Sequence, residues 1–239
     1  MVTNESFLRR LAPAVPPRAP RRRYGLLGWI GRGWLRLAGW RIDGELPDIG
    51  RCVAAVAPHS SNWDFVHAVA VVFALGLRVS FIGKHNLFRG PLGRFMRWLG
   101  GMPVDRSRPN GLVDDMVSAF AQHDALWLGI APEGTRTRVD GFKSGFYRIA
   151  LGAGVPILPA AITGTEDEVV KERFRHFKRL DIKVNAGKPF ILPPAVGQDR
   201  DAALQEFTEE VMCRIAALLP EERRGVYAEH PRLKELLAS

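Results

Sequence analysis

From residue 41 onward, short apolar runs alternate with longer amphipathic stretches, and the two periods predict different elements. Strand-like runs fall at Arg41–Gly44, Cys52–Ala57, Val79–Gly83, Met102–Val104, Ala125–Ala131, Ile157–Thr163 and Asp181–Ala186. Helix-length runs lie between and after them, at Trp63–Leu75, Pro91–Leu99, Gly111–Gln122, Gly145–Gly152 and Asp201–Leu218. This alternation predicts an α/β fold: one domain, with a central mixed and largely parallel sheet flanked by helices. The charged segment 220–239 predicts a last short helix, and residues 1–23, rich in Pro and Arg, predict a poorly ordered basic tail.

Residues 24–40 have a character of their own. On a helix, Leu26, Leu27, Ile30, Trp34, Leu37 and Ala38 share one arc, Arg32 and Arg36 lie opposite, and Trp29 and Trp40 fall near its edge. That is the pattern of an N-terminal interfacial helix lying in a membrane surface, although five glycines, Gly25, Gly28, Gly31, Gly33 and Gly39, weaken it. The longest unbroken apolar run, Ala68 to Leu77, is far short of the roughly 20 residues a spanning helix needs. No apolar core of a signal peptide is evident, so the expected location is peripheral, on the cytoplasmic face of a membrane.

Charge changes the picture more than composition does. The 239 residues carry 34 Lys and Arg against 25 Asp and Glu, a net +9, which implies a polyanionic partner such as an anionic membrane surface. Nucleic acid is the rival partner, but no aromatic-and-basic recognition module is present, so no nucleic acid is expected. Cys52 and Cys213 read as two reduced, buried thiols.

Chemistry-bearing residues sit where apolar runs end. His59 follows the second run, with Asp64 five residues on and placed to hold its imidazole. Lys84 follows the third, Asp105-Arg106 the fourth, and Glu133-Gly134-Thr135-Arg136 the fifth. Gly134 permits a tight turn, Arg136 can grip a phosphate bidentately, and Glu133 can orient its neighbours. A base ringed by cations suits group transfer to an anionic hydroxyl compound. A Gly-x-Ser-x-Gly hydrolase turn, a zinc ligand set, a dinucleotide fingerprint and a P-loop are all missing from the sequence.

In this order and spacing, His59-x4-Asp64, Lys84, Val104-Asp105-Arg106, Glu133-Gly134-Thr135-Arg136 and Val155-Pro156-Ile157-Leu158-Pro159 resemble the lysophosphatidic acid acyltransferase (PlsC-like) family of glycerolipid biosynthesis. The resemblance runs over about residues 41–190, and residues 41–219 are expected to form the acyltransferase domain. It implies transfer of a fatty acyl group from acyl-CoA or acyl carrier protein to a lysophospholipid hydroxyl, with 1-acylglycerol-3-phosphate as the expected acceptor and no metal or resident cofactor. It makes His59 the general base and Asp64 its partner, and gives Arg106, Arg136 and Lys84 to the acceptor phosphate. Glu133, Gly134 and Thr135 would shape the site, and Val155, Pro156, Ile157 and Pro159 would line the acyl or acceptor pocket. Departures from the family pattern are Pro58 in place of Asn, the Lys84-His85-Asn86-Leu87 segment without its acid, Pro103-Val104, and Thr137. They leave the reaction class intact and open the acceptor to another lysolipid, such as a lyso-ornithine lipid. A non-enzymatic binder of anionic surfaces is the reading of a different class.

Overall fold

The computed structural model describes residues 14–39, 41–43, 45–58, 63–104, 111–132, 145–165, 170–172, 175, 182–191, 193 and 200–238. Among these, seven strands form one sheet in the order β1-β7-β6-β2-β5-β3-β4. Their bounds are β1 Arg41–Asp43, β2 Arg51–Ala57, β3 Val79–Lys84, β4 Gly101–Val104, β5 Leu126–Ile130, β6 Ile157–Thr163 and β7 Lys183–Ala186. Strands β2 to β6 all run one way, β7 is antiparallel to β6, and β1 is parallel to β7. The predicted mixed, mostly parallel sheet is present. In β2 every residue after Arg51 is buried or half-buried, which is why it reads as a continuous Cys-Val-Ala-Ala-Val-Ala run rather than an alternation.

Among the described residues, the helices with full bounds are α1 Leu26–Leu37, α2 Trp63–Leu75, α3 Gly90–Trp98, α4 Gly111–Gln122, α5 Gly145–Ala153, α6 Arg200–Ala217 and α7 Pro231–Ala238. Strand β2 divides them between two layers. Val53, Ala55 and Ala57 pack in one core with Met116 and Phe120 of α4, Phe146 and Ile149 of α5, and Phe207 and Val211 of α6. On the other face, Val56 packs beside Ala70 and Ala74 of α2 and Leu35 of α1. Helix α3 joins that second layer, since Met96 and Trp98 pack with Phe73 of α2.

This layering locates a switch point. The chain leaves β2 through α2 toward β3, and leaves β5 through α5 toward β6, so neighbouring strands β2 and β5 send their helices to opposite faces. Right-handed crossovers require that outcome when two connections travel in opposite directions along a sheet. A crevice opens between the carboxyl ends of two such strands, and open α/β sheets bind ligands there.

Helix α1 lies on α2 at unusually close range. A Cβ on Gly31 would fall 2.7 Å from the Ala70 carbonyl oxygen and 2.9 Å from the Ala74 nitrogen. Gly28 and Leu35 share this buried face. Leu26, Trp29, Ile30 and Leu37 point away from the domain, Leu26 and Leu37 each 75% exposed. The predicted apolar arc is therefore split: Leu27, Trp34 and Ala38 turn toward the domain, while Trp29 is exposed with Leu26, Ile30 and Leu37.

Residues 14–23 depart from the poorly ordered tail predicted through residue 23. Ala19 is buried with Leu77, Trp127 and Leu158, Arg21 bridges Leu77, and the Arg78 amide donates to the Pro20 carbonyl at 2.8 Å. The Arg22 guanidinium donates to the Trp98 carbonyl at 2.6 Å and stacks over that indole. Residues 1–13 lie outside the described residues. No described helix is long and apolar enough to cross a membrane.

Candidate active site

Four of the five sequence motifs follow the carboxyl end of a parallel strand. Strand β2 finishes at Ala57, directly ahead of Pro58 and the segment 59–62. Strand β3 finishes at Lys84, β4 at Val104 and β5 at Ile130. These four strands are neighbours, in the order β2-β5-β3-β4. At about 4.8 Å per strand step, their carboxyl ends span about 15 Å along one sheet edge. His59, Arg106, Glu133, Gly134, Thr135 and Arg136 lie outside the described residues.

Two of the polar residues can be followed at atomic detail. Asp64 stands in the first turn of α2 and is 5% exposed. A carboxylate there is favoured by the positive end of the helix, which helps hold a charge that burial alone would disfavour. Lys84 is the last residue of β3 and is exposed at the sheet edge, paired in register with Val104.

The other described pocket residues are elsewhere. Val155 and Ile157 are closed into the hydrophobic core, and Ile157 is in register with Val53, four residues before the carboxyl end of β2. Val155, Pro156 and Ile157 thus occupy the amino end of β6, opposite the motif-bearing edge. Pro159 is buried at mid-strand and accepts the Gly187 amide at 2.9 Å. Their apolar run is the signature of a buried parallel strand, and the structure does not bring these side chains to Asp64 or Lys84.

One connection escaped the sequence reading. The Trp34 indole Nε1 donates to His67 Nδ1 at 3.1 Å, tying α1 to α2 one turn beyond Asp64. Indole nitrogen is a donor only, so Nδ1 must be the acceptor and the His67 proton sits on Nε2. His67 is fully buried, and that burial lowers its pKa to about 4 against a smaller upward pull from Asp64. The legible signal was spacing: His67 is three residues past Asp64, on the same helix face.

A Cys–His–Glu set near the C-terminus is not a nucleophile. Cys213 Sγ lies 3.3 Å from His230 Nδ1, and Glu209 lies 3.8 Å from His230 Nε2. The thiol is fully buried, and burial together with Glu210 and Glu209 pushes it up to about 11. His230 Nδ1 also accepts the Arg232 amide at 3.2 Å, so the imidazole starts helix α7. A cavity of about 450 Å³ lined by Arg78, Ser80, Gly101, Pro103, Met116 and His123 opens along β3 and β4. Among the described residues no group of His, Cys, Asp and Glu could hold a metal ion.

Comparison with known proteins decides the family. The family model described as Acyltransferase matches residues 43–163, about half of the chain. The chain belongs to the PlsC-like acyltransferase family. The 1-acyl-sn-glycerol-3-phosphate acyltransferase of Escherichia coli is 31% identical over 129 residues, 51% of each protein. That of Haemophilus influenzae is 28% identical over 160 residues, 63% of this chain and 65% of the relative. The chain thus spans about half to two thirds of the length of these relatives. The crystal structure of the 1-acyl-sn-glycerophosphate acyltransferase PlsC from Thermotoga maritima superposes with a TM-score of 0.54 at 20% identity. It covers 78% of this chain and 76% of the other, a likeness of fold. The acyltransferase match runs from the end of β1 to the end of β6 and takes in every motif-bearing strand end.

Proposed function

We propose that the protein transfers a fatty acyl group from an acyl thioester, on coenzyme A or acyl carrier protein, to the free hydroxyl of a lysophospholipid. 1-Acylglycerol-3-phosphate is the preferred acceptor and phosphatidic acid the product. The observation that carries this reading is the placement of four motif segments after four adjacent parallel strands, two of them flanking the β2/β5 switch point. The relatives' names add the acceptor.

In this scheme His59 takes the proton of the acceptor hydroxyl as its oxygen attacks the thioester carbonyl. Asp64, buried in the first turn of α2, orients the ring and balances the imidazolium. The tetrahedral oxyanion collapses, the carbon–sulfur bond breaks, and the imidazolium returns the proton to the departing thiolate. No acyl-enzyme forms and no metal takes part. Arg106, Arg136 and Lys84 hold the acceptor phosphate, while Glu133, Gly134 and Thr135 shape the turn between them. Proximity is the main contribution, since thioester alcoholysis is downhill and the barrier is one of bringing two amphiphiles together.

The acceptor sits in a membrane, and the outward stripe Leu26, Trp29, Ile30 and Leu37 of α1 supports a peripheral seat on an anionic surface, at the cytoplasmic face. Acylation of another lysolipid, such as a lyso-ornithine lipid, is the alternative that the departures at Pro58 and Lys84-His85-Asn86-Leu87 leave open. Incubating the purified protein with mixed lysolipids and both acyl donors, then weighing products by mass spectrometry, separates the two. Phosphatidic acid as the main product supports the reading, acylated ornithine lipid replaces it, and no acylated product from any pair overturns it.

A further inference from the structure

We propose that helix α3 and the turn before it form a second membrane-contact element, seating the protein on an anionic bilayer together with α1. This rests on the reading of the protein as one that works at a membrane surface. The segment runs Leu87-Phe88-Arg89-Gly90-Pro91-Leu92-Gly93-Arg94-Phe95-Met96-Arg97-Trp98. Its rotation is fixed by how it docks. Phe88 is buried, and a Cβ on Gly93 would fall 2.1 Å from the Phe88 carbonyl, so only glycine allows α3 to lie that close. The Arg97 guanidinium reinforces the contact, donating to the Phe88 carbonyl at 2.9 Å. With Gly93 facing inward, Phe95 lies opposite it and Leu92 on the flank; Leu92 is 54% exposed, Phe95 46% and Leu87 45%.

Scattered exposed apolar side chains need no explanation, but a cluster on one short helix with exposed arginines does. Arg89 and Arg94 are both exposed beside this cluster. The cluster is also continuous with the start of α1. Phe95 stacks on Trp98 at 5.9 Å, Arg22 lies over Trp98 at 4.6 Å, and Tyr24 meets that ring edge-on at 5.7 Å. Tyr24 leads directly into Leu26, so α1 and α3 present apolar side chains from the same face of the sheet. Positive charge with protruding Leu and Phe matches an anionic lipid surface, where the arginines meet headgroups and the apolar side chains enter the acyl boundary. Because β3 passes from Lys84 through residues 85–88 straight into α3, this contact would hold the bilayer at the carboxyl edge of the sheet, where the acceptor must enter.

The test uses the two native thiols' inaccessibility. Cys52 and Cys213 are fully buried, so an environment-sensitive maleimide labels an introduced cysteine selectively. Leu92→Cys, Ile30→Cys on α1, and Leu237→Cys on α7 as control are labelled and mixed with phosphatidylglycerol vesicles, without substrate. The expected result is blue-shifted emission, quenched by nitroxide lipid, at positions 92 and 30 and not at 237. Arg89→Gln with Arg94→Gln is expected to weaken vesicle binding about fivefold per arginine. A label at 92 that stays in water while the one at 30 enters overturns the proposal, and so does a shift at 92 produced only by an acidic acyl carrier protein. A shift at all three sites overturns it as well. Turnover is not read, so any of these results leaves the acyl-transfer reading to its own test.

Discussion

Acid should weaken the grip of α1 on α2 through one buried imidazole. His67 is fully buried and accepts the Trp34 indole proton at Nδ1. Desolvation lowers its pKa from 6.5 to about 4, while Asp64 pulls weakly the other way. A folded pKa below the unfolded one means that the unfolded chain takes up the proton first as pH falls. The contribution is therefore complete above about pH 6.5 and is lost progressively as pH drops toward 4. At about 1.4 kcal/mol per pH unit the whole gap is worth about 3 kcal/mol, of which about 2 kcal/mol is gone by pH 5. Urea unfolding followed by circular dichroism at pH 7.5 and pH 5 measures it, with His67→Gln as the reference. Glutamine keeps an acceptor for Trp34 but cannot titrate. Wild type should lose about 2 kcal/mol more than the variant between the two pH values. Glu210, held below its ordinary range first by Arg232, titrates in both proteins and cancels in the difference. Equal pH dependence in the two proteins would refute the reasoning, because it would mean that the folded ring protonates as readily as a free one.

Other substitutions read other parts of the account. Gly31→Val drives a side chain into the Ala70 carbonyl and the Phe73 Cβ, each under 3 Å from the new Cβ, and should lower stability by about 2 kcal/mol in urea titration. Gly33→Ala, where nothing lies within 4 Å, should be neutral or slightly stabilising in the same assay. Arg232→Ala removes two hydrogen bonds to Glu210 and one to Glu235, and should cost about 1 kcal/mol while raising amide exchange in α7. Arg106→Ala and Arg136→Ala should raise the KM for phosphate-bearing acceptors more than they lower kcat. Acceptor affinity that Arg106→Ala barely alters would argue for acyl transfer to an amine or a sugar hydroxyl instead.

The central strands were legible because β2, β5 and β6 are short, mostly apolar runs, and β2 and β6 are buried along nearly their whole length. Their order was not. Strand β5 inserts between β2 and β3, a pairing between residues far apart in sequence that no local pattern records. The tail was misread for the same reason: Pro20 to Arg23 is locally a solvated basic run, but its partners Leu77, Arg78 and Trp98 come much later in the chain. Glycine misled in a second way. Gly28 and Gly31 count against a helix by propensity, yet they are the surface on which α1 meets α2. The motif residues were legible as chemistry, and the sheet explains why they recur at strand ends. The pocket role of Val155–Pro159 came from the family resemblance; the local pattern of that segment records only the buried start of a parallel strand.

The central claim is that His59, held by Asp64 beside the β2/β5 crevice, takes the proton from a lysolipid hydroxyl. Its most direct measurement is acceptor-dependent thiol release from an acyl thioester by wild type, His59→Ala and Asp64→Asn, with folding checked by circular dichroism. The account predicts release only when 1-acylglycerol-3-phosphate is present, and a fall of about 10²–10⁴ in rate for folded His59→Ala. Release that is undiminished in that variant, or that proceeds equally without acceptor, would contradict it.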